Sequence, residues 1–152
     1  MLSNRGKYAT RALLELTLNY DNGPTLIQDI AERQKIPLKF LEQILLSLKA
    51  MGFVDSRKGR GGGYYLAKPP EAITLGAVVR AIEGPLAPIS CVSVTAYGEC
   101  GCPEPMICGL RTAWREARDA FANVLDRTTL ADVRDRQRRL AEKQTEAYDY
   151  AI

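Results

Sequence analysis

The run Arg57-Lys58-Gly59-Arg60-Gly61-Gly62-Gly63 constrains this chain more than any other segment. Residues 53–56 before it and 64–67 after it have the composition of short strands, so the run reads as the tip of a hairpin. Its glycines permit positive φ and let the tip come close to another surface. A phosphate-cradling glycine loop opens directly into a helix, and here Tyr64-Tyr65-Leu66 continues as strand. What remains is a basic hairpin tip. Arg57, Lys58 and Arg60 on such a tip can grip a phosphate backbone or enter a minor groove. A plain solvated hairpin is the alternative, and the residues upstream bear on it.

Three helical patterns precede the hairpin. Residues 7–19 place Ala9, Ala12, Leu13 and Leu16 on one face. Asp21-Asn22-Gly23-Pro24 is a turn. Thr25 is placed to cap a second helix over residues 26–34, with Leu26, Ile27, Ile30 and Ala31 inward. Pro37 suits the first position of a third helix running to about residue 50, whose buried stripe is Leu38, Leu41, Leu45 and Leu48 and which Gly52 stops. Helix, helix, turn, helix, hairpin is the order of a winged helix-turn-helix. Recognition helices meet base edges near their N-terminal end. There the third helix carries Lys39, Glu42 and Gln43. Gln pairs with adenine, and Glu accepts from the cytosine amino group. Each residue alone could be the polar side of an amphipathic helix. Together, ahead of a basic wing, they point to DNA.

Charge agrees. Residues 1–70 hold 11 Lys/Arg against 6 Asp/Glu, whereas residues 71–109 hold one Arg and four acids. A basic lobe in a chain with a net charge of only +3 calls for a polyanionic partner. With 46% hydrophobic and 26% charged residues, the chain can build a core. No run is long enough to span a membrane. The apolar stretch near the start is broken by Arg11 and Glu15 and does not read as a secretory signal. A cytoplasmic protein is expected. There is no histidine. That removes Ser-His-Asp and Cys-His catalysis and histidine-based zinc hydrolysis, and the chain is not expected to be an enzyme.

Beyond the hairpin, Thr74 caps a short helix over residues 75–83, closed by Gly84-Pro85. Residues 85–109, rich in Pro, Gly and Cys, form a loop. A long amphipathic helix over residues 110–125 carries Trp114, Phe121 and Val124 and reads as a dimer seam. Thr129-Leu130-Ala131-Asp132 resembles a capping box opening a charged last helix. The expected class is mostly α (α+β), a winged helix-turn-helix with a two-stranded wing and a long C-terminal dimerisation helix. The expected division is a DNA-binding unit at 1–84, a cysteine-rich sensor loop at 85–109, and a dimerisation and C-terminal helical part at 110–152.

All four cysteines lie in that loop, as C-x8-C-x-C-x5-C at Cys91, Cys100, Cys102 and Cys108. Cytoplasmic chains rarely use structural disulfides, so the cluster suggests metal binding or redox chemistry. Thiolates suit Fe–S clusters or zinc. The paired C-x2-C of zinc ribbons is absent, and unligated redox-sensing thiols stay open as a reading.

Pro37-Leu38-Lys39-Phe40-Leu41-Glu42-Gln43-Ile44-Leu45, with Gly52-Phe53-Val54 and the run from Ser56 to Tyr64, resembles the IscR/NsrR/RirA/CymR-type (Rrf-two) family of bacterial regulators. Ile73-Thr74-Leu75-Gly76, Ala81-Ile82-Glu83-Gly84 and Thr129-Leu130-Ala131-Asp132-Val133 extend the match over about residues 1–133. The resemblance implies a homodimer on palindromic operator DNA. In many relatives three cysteines bind a [2Fe-2S] or [4Fe-4S] cluster, and Cys91, Cys102 and Cys108 match that trio. Cys100 is additional and stands as a candidate fourth ligand. Arg111 falls where an IscR-type histidine ligand would stand, and Tyr8 where other relatives use an acid. Some family members carry no cluster and answer to a partner protein.

Overall fold

The structure is a computed structural model and describes residues 2–150. These form α1 (Asn4–Leu18), α2 (Ile27–Gln34), α3 (Leu38–Ala50), β1 (Val54–Arg57), β2 (Gly63–Leu66), α4 (Leu75–Glu83), α5 (Gly109–Arg127) and α6 (Leu130–Tyr150). The order is that of a winged helix-turn-helix followed by two long helices, as expected.

The first helix starts earlier than its apolar spacing suggests, because the Ser3 side chain accepts from the Gly6 N–H and caps it. Ser3 also donates from its own N–H to Glu83 at 3.0 Å, tying α1 to the end of α4. Between α2 and α3 the chain reverses at Lys35, which adopts φ 51°, the left-handed conformation that ends α2. The core is made by Ala9, Ala12, Leu13 and Leu16 of α1, Ile30 of α2, Leu41, Ile44, Leu45 and Leu48 of α3, and Val54 and Leu66 of the hairpin. Three readings need correction. Leu26 is 53% exposed and not inward, because it stands at the N-cap of α2, ahead of the face that Ile30 turns to the core. Leu38 is 40% exposed and lies outside the buried stripe, in which Ile44 sits instead. Thr25 makes no cap. Its N–H and carbonyl exchange hydrogen bonds with Tyr64 at 2.8 Å each, so the segment before α2 pairs with the outer edge of the wing.

The wing is an antiparallel pair in the register Val54↔Leu66 to Arg57↔Gly63. Gly63 sits at φ 140°, and a Cβ there would stand 2.4 Å from the Thr25 carbonyl oxygen. Gly63→Ala is therefore expected to push the wing off the Thr25 segment. The expected cost is of order 1–3 kcal/mol in chemical denaturation, with DNA affinity falling alongside. An unchanged midpoint would refute this.

The α5–α6 pair folds back onto the winged unit. Thr74 and Thr129 form an isolated bridge, flanked by Leu75 N–H to Thr128 O and Leu130 N–H to Ile73 O, both 2.9 Å. Leu130 thereby enters the core beside α1. Thr129 and Asp132 make the reciprocal capping box expected, at 2.8 and 3.1 Å. Arg80 of α4 grips Asp126 of α5 through two parallel bonds.

Candidate nucleic-acid interface and cysteine loop

Two structural ties set the pose of α3 and the wing. Glu15 of α1 is buried and accepts from Arg33 at 3.0 Å and from Gln34 at 2.9 Å, both at the end of α2. A buried carboxylate needs such partners, and here they lock α2 against α1 just before the turn into α3. At the other end Lys49 of α3 donates to Ser56 at 2.6 Å and pairs with Asp55 at 3.4 Å, joining α3 to β1.

On that frame Lys39, Glu42 and Gln43 stand exposed on the N-terminal half of α3, and Arg57, Lys58 and Arg60 stand exposed at the wing tip. Among the described residues, none of these six side chains takes part in an ion pair or hydrogen bond; of the cations nearby, Arg5, Arg33 and Lys49 are engaged and Lys35 is not. The exposed apolar residues Leu38 and Phe40 lie on the same stretch of α3. Phe40 meets Tyr8 of α1 edge-on at 5.6 Å, and Arg11 lies 5.7 Å over the Tyr8 ring. Tyr8 is thus engaged in the contact between α1 and α3.

The cysteine loop runs between α4 and α5 and contains a short turn at Ser90–Val92. Cys91 is buried, Cys100 is exposed, and Cys102 and Cys108 are half-buried. Cys108 caps α5, its sulfur accepting from the Arg111 N–H at 3.4 Å. Cys102 Sγ lies 4.0 Å from the Cys100 carbonyl oxygen, and the two thiols affect one another. The Cys100 thiol is lowered chiefly by its hydrogen bond with Cys102, with a lesser contribution from Cys91. The Cys102 thiol is pushed up to about 11, first by the hydrogen bond to Cys100, then by partial desolvation and by the charges of Cys100, Cys108 and Cys91. Among the described residues, no three His, Cys, Asp or Glu side chains are drawn together as a preformed single-ion site.

The thiolate is the form that alkylates. As pH rises, Cys100 ionises before a free cysteine would, whereas Cys102 stays largely protonated until about pH 11. Iodoacetamide at about pH 8 should therefore label Cys100 well ahead of Cys102, as read by peptide mass spectrometry. Equal labelling would contradict the paired arrangement.

Two arginines were not legible as contacts in the sequence. Arg111 donates from Nε to the Cys91 carbonyl at 3.3 Å and lies 6.0 Å over the Tyr97 ring. Arg118, two turns further along α5, donates to the Val92 carbonyl and pairs with Asp119. Their seven-residue spacing on one helix face was the available signal.

The family model described as Rrf2, iron-dependent transcriptional regulator, matches residues 2–136. The chain belongs to the Rrf2 family. It is 39% identical over 132 residues to protein rrf2 of Nitratidesulfovibrio vulgaris, covering 87% of this chain and 85% of that one. To the HTH-type transcriptional regulator IscR of Yersinia pseudotuberculosis it is 36% identical over 136 residues, covering 90% and 80%. Among solved structures, CymR, the global cysteine regulator of B. subtilis, superposes with a TM-score of 0.76 at 32% identity, covering 89% of this chain and 96% of that one. The Rrf2 chain is thus a transcriptional regulator and not an enzyme. No helix among its described residues is long and apolar enough to cross a membrane.

Proposed function

We propose that this Rrf2 regulator acts as a homodimer in the cytoplasm on palindromic operator DNA, reading bases with α3, gripping the backbone with the wing, and sensing iron, redox or nitric oxide status through an Fe–S cluster on the cysteine loop. The observation that carries the DNA reading is the set of six unpaired side chains on α3 and the wing. Lys39 positions the helix on phosphate. Glu42 and Gln43 meet base edges. Arg57, Lys58 and Arg60 hold the flanking backbone. Substituting Glu42 or Gln43 should change preference at particular base pairs by about 1–3 kcal/mol, measured by competition among operator variants. Uniform weakening at every site would make them positioning residues instead.

The dimer reading rests on α5. None of its 19 residues is buried. Leu110, Trp114, Ala117, Phe121 and Val124 fall within a stripe roughly 80° wide at about 100° per residue. A second copy of the chain, related by a two-fold axis, would cover that stripe on both helices at once.

For the sensor, the donor set suits an Fe–S cluster: four soft thiols in one loop, and no imidazole anywhere in the chain. Cys91, Cys102 and Cys108 would hold it, with Cys100 as the fourth ligand. A bound cluster would supply one-electron chemistry and sensitivity to oxidants. The Arg111 guanidinium, held to the Cys91 carbonyl, would offset the negative charge that thiolate ligands bring. A second reading, a cluster-free thiol switch, is favoured by the lowered, exposed Cys100 thiol next to Cys102. A gel-shift assay on the gene's own promoter region tests the DNA reading. The visible spectrum of anaerobically purified protein, with iron and sulfide assays, separates the two sensors. Iron and sulfide that survive removal of each of Cys91, Cys102 and Cys108 would defeat the ligand assignment, and a colourless protein under every preparation would leave the thiol switch.

A further inference from the structure

We infer that Arg111 and Arg118 are positioning residues that clamp the turn bearing Cys91 onto one face of α5. This deepens the sensor reading, on which its regulatory meaning rests, but the clamp is tested without it.

Cys91 and Cys108 lie at opposite ends of the loop, and only Cys108 is fixed by the helix itself, as its cap. The Cys91 end is held through its carbonyl oxygens. Arg111 Nε takes the Cys91 oxygen at 3.3 Å, and Arg118 takes the Val92 oxygen one residue on. Residues seven apart on a helix are two turns apart and share a face, so adjacent carbonyls of the turn are met at two heights along α5. Both guanidiniums are braced, Arg111 against the Tyr97 ring and Arg118 against Asp119, and Arg118 is only 15% exposed. The same Arg111 residue serves both ends of the loop, through its side chain at Cys91 and its backbone N–H at Cys108. A lysine could replace one of these bonds but not the planar, braced fork.

Because the bonds go to backbone oxygens, they set where the Cys91 sulfur lies without consuming it. Movement of the Cys91 turn is also, through these two bonds, a force on the helix that carries Trp114 and Phe121. Thiol chemistry and the seam are joined at α5.

The test uses the full chain, metal-free and reduced, with iodoacetamide as the probe. In wild type, buried Cys91 should label slowly compared with exposed Cys100. Arg111→Ala and Arg118→Ala should each raise the Cys91 rate several-fold, and together at least tenfold, with the Cys100 rate within twofold of wild type and the thermal midpoint little changed. Arg118→Lys should recover part of the protection. A second readout uses protein reconstituted anaerobically with ferrous iron and sulfide. The half-life of its visible absorbance in air should shorten several-fold in the double variant. Unchanged Cys91 labelling in the double variant would overturn the clamp, as would a rise at all four cysteines alike, which signals general loosening. A wild type that takes up no iron and sulfide would refute the cluster while the labelling rates still decide the clamp.

Discussion

Replacing Arg57, Lys58 and Arg60 together with alanine is expected to remove most operator affinity and to flatten its dependence on salt. Each phosphate contact contributes about 0.9 to the slope of log affinity against log salt. Loss of three contacts lowers that slope by about 2.7, so between about 50 and 200 mM salt the variant should lose about 40-fold less affinity than wild type. The fold should survive, because the three side chains are exposed and, among the described residues, make no hydrogen bond or ion pair. Fluorescence anisotropy across a salt series measures both quantities. Unchanged affinity and slope would mean that the wing does not touch DNA.

If α5 forms the proposed dimer seam, Phe121→Glu is expected to leave the protein monomeric at micromolar concentration. Phe121 is 54% exposed in the single chain and lies in the middle of the apolar stripe with Trp114, which is 44% exposed. A symmetric seam repeats each change, so one substitution places two carboxylates in the contact, and like charges buried together cost far more than one lost ring. Operator binding should fall with it, since two half-sites are then engaged as separate events. Sedimentation or light scattering reads the oligomeric state. A Phe121→Glu protein that remains dimeric would place the seam elsewhere.

The order of elements was legible because each is set by local chemistry. The capping box at Thr129, the cap at Thr74 and the glycine-rich tip all lie where their residues demand. What escaped was decided by distant partners. Thr25 looks like a cap because Ser, Thr, Asp and Asn favour that position, yet the strand at Tyr64 offered its backbone two hydrogen bonds instead. Leu38 falls on the helical apolar spacing, but it stands at the first turn of α3, beyond the reach of the core. Lys35 in a left-handed conformation carries no sequence mark at all, since glycine or asparagine is the usual choice there. At the candidate site, the exposure of Lys39, Glu42, Gln43, Arg57, Lys58 and Arg60 follows from pattern. The arginine bonds to Cys91 and Val92 do not, because main-chain oxygens leave no signature in the identity of the residue that offers them.

The pairing of Thr74 with Thr129 has a consequence for how the protein is made. Leu130 completes a core otherwise built from residues within the first eighty. On the ribosome the winged unit therefore emerges with one wall missing, and the loop and α5 must be synthesised before that wall arrives. At roughly 5–20 residues per second this leaves an interval of seconds in which part of α1 stays uncovered. A chain that stops short of Leu130 would lack a complete core. Because the cysteine loop lies between that core and Leu130, any chain long enough to close the core already carries the loop.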